Sequence, residues 1–264
     1  MTNEQLLKDF GKQAPEYAFG DFAPAYTISN EDQHWATRAV PGVSRVLTVA
    51  GSGDQALFYK LAGATRIDTF DRTKNARVVQ DIKFAAIKTV DYLEYSNLLI
   101  DLYYSADILK IPAMRKIMPL LSNKTVDIIN NPGNKYIFGA GMDARYYPEN
   151  IPSPEEYKTL KKTLKRPFNF KSCDLYDLNT KITTKYDLIN ISNIFDYHYT
   201  PAVQGEILHN LGKHLNVGGY IAYLPQFARF SYNKYITTAK NYTLEYAKTI
   251  THEQSKMILF QRTR

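Results

Sequence analysis

Cysteine is nearly absent. Cys173 is the single one in 264 residues, which excludes an intramolecular disulfide and any zinc cluster built on thiolates. Long apolar runs are missing too. No stretch approaches the roughly 18 uninterrupted apolar residues of a membrane span, and MTNEQLLKDFGKQAPEY lacks the apolar centre of a signal peptide. A soluble, cytoplasmic chain in a reducing compartment is expected. Acidic residues are the scarcer sign, 26 against 33 Lys and Arg, giving +7 and a pI near 9.2. That excess invites an anionic partner but sets a field, not a fold. Hydrophobic residues at 44% and charged residues at 22% exclude disorder, and no repeat or low-complexity tract is visible. No metal site is expected.

Aromatics are plentiful: 21 Tyr and 13 Phe against one Trp, Trp35. Pairs such as Tyr103-Tyr104 and Tyr146-Tyr147 are candidates to line a pocket or fill a core. The clearest strand is Arg45–Ala50 (RVLTVA), which ends in Gly51-Ser52-Gly53-Asp54. A helix with apolar spacing follows and stops at Gly63, and Arg66–Phe70 forms a second strand closing on Asp71. The segment Thr73–Val90 repeats apolar residues at three- and four-residue steps and is an amphipathic helix. Connections this short between strand, helix and strand mean parallel strands and right-handed crossovers.

Further strands are predicted at Phe168–Cys173, Tyr186–Ser192 and Tyr220–Leu224, the last after a Gly218-Gly219 turn, with a helix over Ala202–Leu215. Thr243–Ile250 and Lys256–Gln261 flank the polar turn THEQS and form an antiparallel hairpin. The expected fold is α/β: a class I methyltransferase-type Rossmann fold with a mostly parallel seven-stranded sheet and an antiparallel C-terminal hairpin. One domain spans 1–264. Residues 90–166 exceed what a crossover needs and contain helical stretches at Tyr92–Ala106 and Ala113–Leu121. They read as a helical cap insertion.

Glycines between a strand and a helix allow positive φ and close approach of a ligand to the backbone, and the helix beyond offers oriented N–H donors. Gly51, Ser52, Gly53 and Asp54 occupy that position, without the third glycine of the dinucleotide pattern. Asp71, beside Arg72, ends the second strand, where a carboxylate takes both hydroxyls of a ribose. Asp174 and Leu175 follow the third strand, where an acid meets an exocyclic amine. Turn, ribose acid and post-strand acid suit adenosine without a pyrophosphate, hence S-adenosylmethionine. Ser192 and Asn193 leave the fourth strand beside the reactive centre. Asp196, Tyr197 and His198 are the acid/base candidates, His because it exchanges protons near neutrality, Tyr because its ring can face a sulfonium.

Tyr26–Leu99, with NEDQHW, RVLTVAGSGDQALFYKLAGATRIDTFD and IKFAAIKTVDYLEYSNLL, and later SNIFD, resembles the betaine-lipid synthase 3-amino-3-carboxypropyl transferase family. The resemblance implies bound S-adenosylmethionine and transfer of its aminocarboxypropyl group, with release of methylthioadenosine. It also implies cofactor roles for Gly51, Gly53, Asp54 and Asp71, and places Glu31 and Asp32 near the site. Such transfer turns the methionine γ-carbon to the acceptor, with Tyr26, Arg115 or Arg145 as candidates to hold the amino-acid tail. An internal amine would cyclise the group instead. Two other readings compete: a methyltransferase acting on a small molecule or RNA, and a non-catalytic S-adenosyl-ligand-binding protein. The acceptor is expected to be a small molecule or lipid headgroup. Lys158, Lys161, Lys162, Lys165 and Arg166 form a basic face suited to an anionic membrane, with nucleic acid the less favoured partner because no RNA-binding module accompanies it. The sequence leaves the oligomeric state open.

Overall fold

A computed structural model describes residues 21–105, 107–134, 137–138, 147–196, 199–225, 237–239, 242–252 and 255–264. The chain enters through helix α1 (Gln33–Arg38), capped by the Asp32 carboxylate on the Trp35 N–H. Strand β1 (Arg45–Val49), helix α2 (Asp54–Leu61), strand β2 (Arg66–Asp71) and helix α3 (Lys74–Thr89) follow as predicted. Residues 92–163 then leave the sheet: α4 (Tyr92–Tyr104), α5 (Met114–Ile117), α6 (Asn123–Ile129) and α7 (Pro154–Thr163). The expected helix at Ala113–Leu121 is a single α turn followed by a 3₁₀ turn over Met118–Leu120, because Pro119 cannot donate to a continued helix.

The chain returns through β3 (Asn169–Ser172), α8 (Leu178–Lys181), β4 (Tyr186–Asn190), α9 (Pro201–Gly212) and β5 (Leu215–Tyr223). The last three strands are β6 (Thr237–Ala239), β7 (Tyr242–His252) and β8 (Ser255–Arg262). The sheet order is β3-β2-β1-β4-β5-β8-β7-β6, parallel from β3 to β5 and antiparallel beyond. The seven expected strands are present, the fold is the predicted Rossmann-like α/β sheet, and Thr237–Ala239 adds an eighth strand at the edge.

Alternation along each strand divides the core. Leu47, Ile189, Ile221 and Phe260 face one helical layer, while their neighbours Val46, Leu188, Ala222 and Leu259 face the other. Strand β5 begins earlier than predicted. Gly218 (φ 83) and Gly219 lie inside it, not before it, and a Cβ at Gly219 would stand 3.0 Å from the Asp187 carbonyl oxygen. The glycine pair is an irregularity that lets β5 lie against β4.

The inserted helices bury Leu98, Leu102, Met114, Ile117, Tyr157 and Leu160 in one cluster with Val78, Ile82 and Ala86 of α3. The Tyr157 hydroxyl donates to the carbonyls of Ala86 (3.2 Å) and Val90 (3.0 Å), tying α7 to the end of α3. The insertion also reaches the chain ahead of β1. Asn150 Nδ2 donates to the Ser29 carbonyl (2.9 Å), Asn150 Oδ1 accepts from the Gln33 N–H (3.1 Å), and Ala25 N donates to the Ile137 carbonyl (2.9 Å).

Candidate active site

β1 lies between β2, which continues to β3, and β4, which continues to β5. The connections therefore diverge at the carboxyl end of β1, the point where open α/β sheets bind their ligands. A cleft of about 160 Å³ opens there, lined by Tyr26, Ser29, Asn30, Glu31, Val49, Ala50, Gly51, Ser52, Gln55, Asp71, Ser192 and Asn193. Elements far apart in sequence meet at it because the sheet places their carboxyl ends together.

The turn after β1 is shaped by glycine. Gly51 has φ 47 and Gly53 φ 82, and a Cβ on Gly53 would lie 3.3 Å from the Gln80 Cα. Gly53 is the N-cap of α2 and contributes no side chain to the cap. Asp71 lies across this turn. Its Oδ2 accepts from the Gly51 N–H (2.9 Å) and its Oδ1 from the Thr73 N–H (3.0 Å). Burial pushes this carboxyl up to about 6, in spite of those backbone donors. The Arg72 N–H also favours the charged form, and the carboxylate lines the cleft with acceptor capacity left for a hydroxyl donor.

Asp54, the next acid in the turn, has a different position. It is fully buried and forms an ion pair with Lys83, while its Oδ2 accepts from the Ser29 N–H (2.8 Å) and Ser52 Oγ (2.7 Å). Burial lowers the Lys83 ammonium, and the Asp54 carboxylate opposes that shift. This pair braces the turn and the segment ahead of β1, and Asp54 is not among the residues lining the cleft.

Glu31 is the buried acid that does line it. Its carboxylate accepts from Gln55 Nε2 (2.6 Å) and from Ser192 Oγ. Gln55 Oε1 in turn accepts from Thr48 Oγ1 (2.6 Å), which fixes the amide's orientation. Burial raises the Glu31 carboxyl, and the charge of Asp196 adds to the shift against the three side-chain donors, Ser192, Gln55 and Gln33. Ser192 reaches Glu31 from a left-handed conformation, φ 49, which costs on the order of 1–3 kcal/mol for a residue other than glycine. Gln55 and Ser29 carry no signal in the sequence beyond their nearness to the turn and to Glu31.

The other candidates lie where they do for stated reasons. Tyr26, 46% exposed, forms the lip of the cleft, and burial of its hydroxyl and the Asp71 charge raise its pKa. Asn193 lines the cleft. Asp196 sits in a 3₁₀ turn just beyond β4 and accepts from the Tyr223 hydroxyl. Asp174 Oδ1 already accepts from the Tyr176 N–H (2.9 Å) and the Tyr199 hydroxyl. Leu175 is packed in the core, Arg72 is exposed, and neither is among the residues lining the cleft. Asp32 borders a second concavity of about 180 Å³, which shares Asn30 and Glu31 with the first and is closed by Trp35, Leu224, Pro225, Ser255 and Lys256. Arg115 is exposed on α5, away from both. Tyr197, His198 and Arg145 lie outside the described residues. Burial pushes the Cys173 thiol up to about 11, so it is protonated near neutrality. Among the described residues no group of His, Cys, Asp and Glu is arranged to hold a metal ion, and no helix is long and apolar enough to cross a membrane.

Fold and site together define a Rossmann-like α/β chain with a polar ligand cleft at its topological switch point. No family model and no curated protein matches the sequence, so the likeness to the aminocarboxypropyl transferase family gains no support there. Among solved structures, the chain is similar to the rRNA methyltransferase aviRa from Streptomyces viridochromogenes (14% identity, TM-score 0.42, 95% of this chain and 88% of that one). It is also similar to a conserved hypothetical protein from Streptococcus pyogenes (10%, 0.41, 84% and 87%). A third is TrmN from Thermus thermophilus (11%, 0.39, 87% and 47%). Likenesses this distant say nothing of what the chain acts on.

Proposed function

We propose that the chain is an S-adenosylmethionine-dependent transferase that moves a methyl group to a small-molecule or RNA acceptor. The observation that carries the reading is the Asp71 carboxylate, held across a glycine turn by backbone N–H groups and lining the cleft. That is the chemistry a ribose diol requires, next to a backbone bare enough to approach. The glycines at positive φ, the absence of cations among the described lining residues and the buried Glu31 fit a ligand bearing a nucleoside and positive charge.

When bound, S-adenosylmethionine supplies an alkyl carbon activated by its sulfonium. The residues of the chain do the rest. Asp71 accepts the ribose hydroxyls, and the Gly51–Gly53 backbone borders the ligand. Glu31 stands between the cleft and the second concavity, where an acceptor has access to it. Burial raises its pKa above the usual carboxylate value, and Ser192 and Gln55 aim the carboxylate as the candidate base. Asp196, near enough to influence Glu31 electrostatically, keeps its basicity high. Tyr26 and the chain segment clamped by Asn150 limit water at the mouth, and the insertion acts as the cap that chooses the acceptor.

Aminocarboxypropyl transfer is the second reading, favoured by the resemblance of NEDQHW through SNIFD. It needs a cation or strong donor on the amino-acid tail; of its candidates, Tyr26 lines the cleft, Arg115 is exposed away from it, and Arg145 lies outside the described residues. The two readings separate by product. Purified protein, S-adenosylmethionine and a cell extract should release S-adenosylhomocysteine. Methylthioadenosine instead would install aminocarboxypropyl transfer or cyclisation. Binding of the ligand with neither nucleoside released would make the chain a non-catalytic binder.

A further inference from the structure

A large concavity lies at the other end of the sheet. It has a volume of about 710 Å³ and runs between the end of α2, the start of β2 and the connection from α7 to β3. Four cations line it: Lys60, Arg66, Lys165 and Arg166. The single acid in its wall, Asp68, is 3% exposed, and its carboxylate already accepts from the Tyr186 hydroxyl (2.6 Å), Asn169 Nδ2 (3.1 Å) and Arg66 Nε (3.3 Å). Lys60 is part-buried with its ammonium on the Ala64 carbonyl (3.3 Å). Lys165 and Arg166 are exposed, and among the described residues neither has an ion-pair partner. The exposed Lys158 and Lys162, four residues apart on α7, continue the positive stripe toward the groove. Low-dielectric walls around charges of one sign focus the field into the space between them.

We infer that this groove binds the phosphodiester backbone of a single-stranded nucleic acid, with the half-buried ring of Phe168 in its wall as a surface on which a base can stack. A cationic groove with an aromatic platform is the arrangement that holds single strands without reading sequence. A bilayer is the poorer occupant. The free cations sit in a concavity that a flat surface cannot enter, and none of the exposed large apolar side chains, which include Leu93, Leu109, Leu120 and Val217, borders it. Along β2, Arg66 in the groove and Asp71 in the cleft stand about 16 Å apart, so the groove serves as an anchoring site apart from the chemistry. It stands whether or not the cleft binds an S-adenosyl ligand.

The test is fluorescence anisotropy of the full chain with a labelled oligouridylate of about 12 nucleotides, titrated at several salt concentrations without any S-adenosyl ligand. Binding is expected, and Lys165→Gln with Arg166→Gln should weaken it at least tenfold and flatten the log–log salt slope by about 1.4, two single-strand phosphate contacts. Both side chains are exposed, so the double variant should keep the parent Tm. Lys248→Gln on the distant hairpin and Asp71→Ala at the cleft should leave binding intact. The proposal is overturned by no binding at low salt, by a double variant that binds like the parent, or by equal loss in Lys248→Gln. Loss in Asp71→Ala would move the contact to the cleft. Displacement of the oligonucleotide by phosphatidylglycerol vesicles that themselves depend on Lys165 and Arg166 would make the face a membrane contact.

Discussion

The two ends of the sheet are built from the same strands and have opposite chemistry. At the carboxyl ends, Glu31 and Asp71 face a small cleft, both carboxyls raised by burial. At the amino ends, four cations face a groove of about 710 Å³, and its one acid is consumed by neighbours. Strand direction explains most of the first: loops that follow parallel strands converge at the carboxyl ends and bring Gly51, Asp71 and Ser192 together, and the segment ahead of β1 adds Tyr26 and Glu31. The second depends on the insertion, since Lys165 and Arg166 belong to the connection by which that insertion rejoins the sheet. Charge at the acidic end is buried and costly, which is the signature of a site kept for a ligand. Charge at the basic end is mostly exposed and costs little, which suits an electrostatic anchor.

The comparison can be broken at several points. The largest effect is expected at Lys83. Replacing it with Met leaves Asp54 buried without its cation and should cost about 3–5 kcal/mol in urea unfolding. A loss below about 1 kcal/mol would mean that the brace beneath the cleft is not what holds the turn. Next comes Asp71→Ala, expected to weaken S-adenosyl-ligand binding at least tenfold while the thermal transition persists. Unchanged affinity would remove Asp71 from the site.

A pH titration sharpens the same point. With the Asp71 carboxyl near 6 in the fold against 3.8 ordinarily, the folded chain holds this proton more tightly than the unfolded chain. Its linked contribution to stability is fully present below about pH 4 and is lost as pH rises through about 6. Ligand affinity runs the other way, because two ribose hydroxyls need the ionised acceptor. Affinity should fall as pH drops from about 7.5 through 6, by up to tenfold per unit below the pKa, and Asp71→Asn should flatten that dependence. The smallest effect is expected from Lys165→Gln with Arg166→Gln, which should leave S-adenosyl-ligand affinity within about twofold, since neither side chain lines the cleft and Arg66 in the groove stands about 16 Å from Asp71 along β2.

The strands and the turn were legible in the sequence because β-branched apolar runs and the glycines between a strand and a helix are local signals. Asp71 was legible for the same reason, at the end of a strand beside that turn. The roles of the other acids were not. Asp54 finds Lys83, and Glu31 finds Ser192, only once the sheet has brought distant segments together. Asp174 sits after β3 as its position suggested, yet the Tyr199 hydroxyl already occupies one of its oxygens, a contact that no local pattern announces. The basic run of α7 was visible as charge alone. Its completion by Lys60 and Arg66 into one groove needed the packing of α7 beside α2.

The most direct test of the cleft as an S-adenosyl-ligand site is a calorimetric titration of S-adenosylhomocysteine into the full chain at about pH 7.5, beside Asp71→Ala and the Lys165→Gln, Arg166→Gln double variant. Saturable one-to-one binding, lost in the first variant and kept in the second, is the predicted result. No heat with the parent chain, or equal binding by Asp71→Ala, would contradict it.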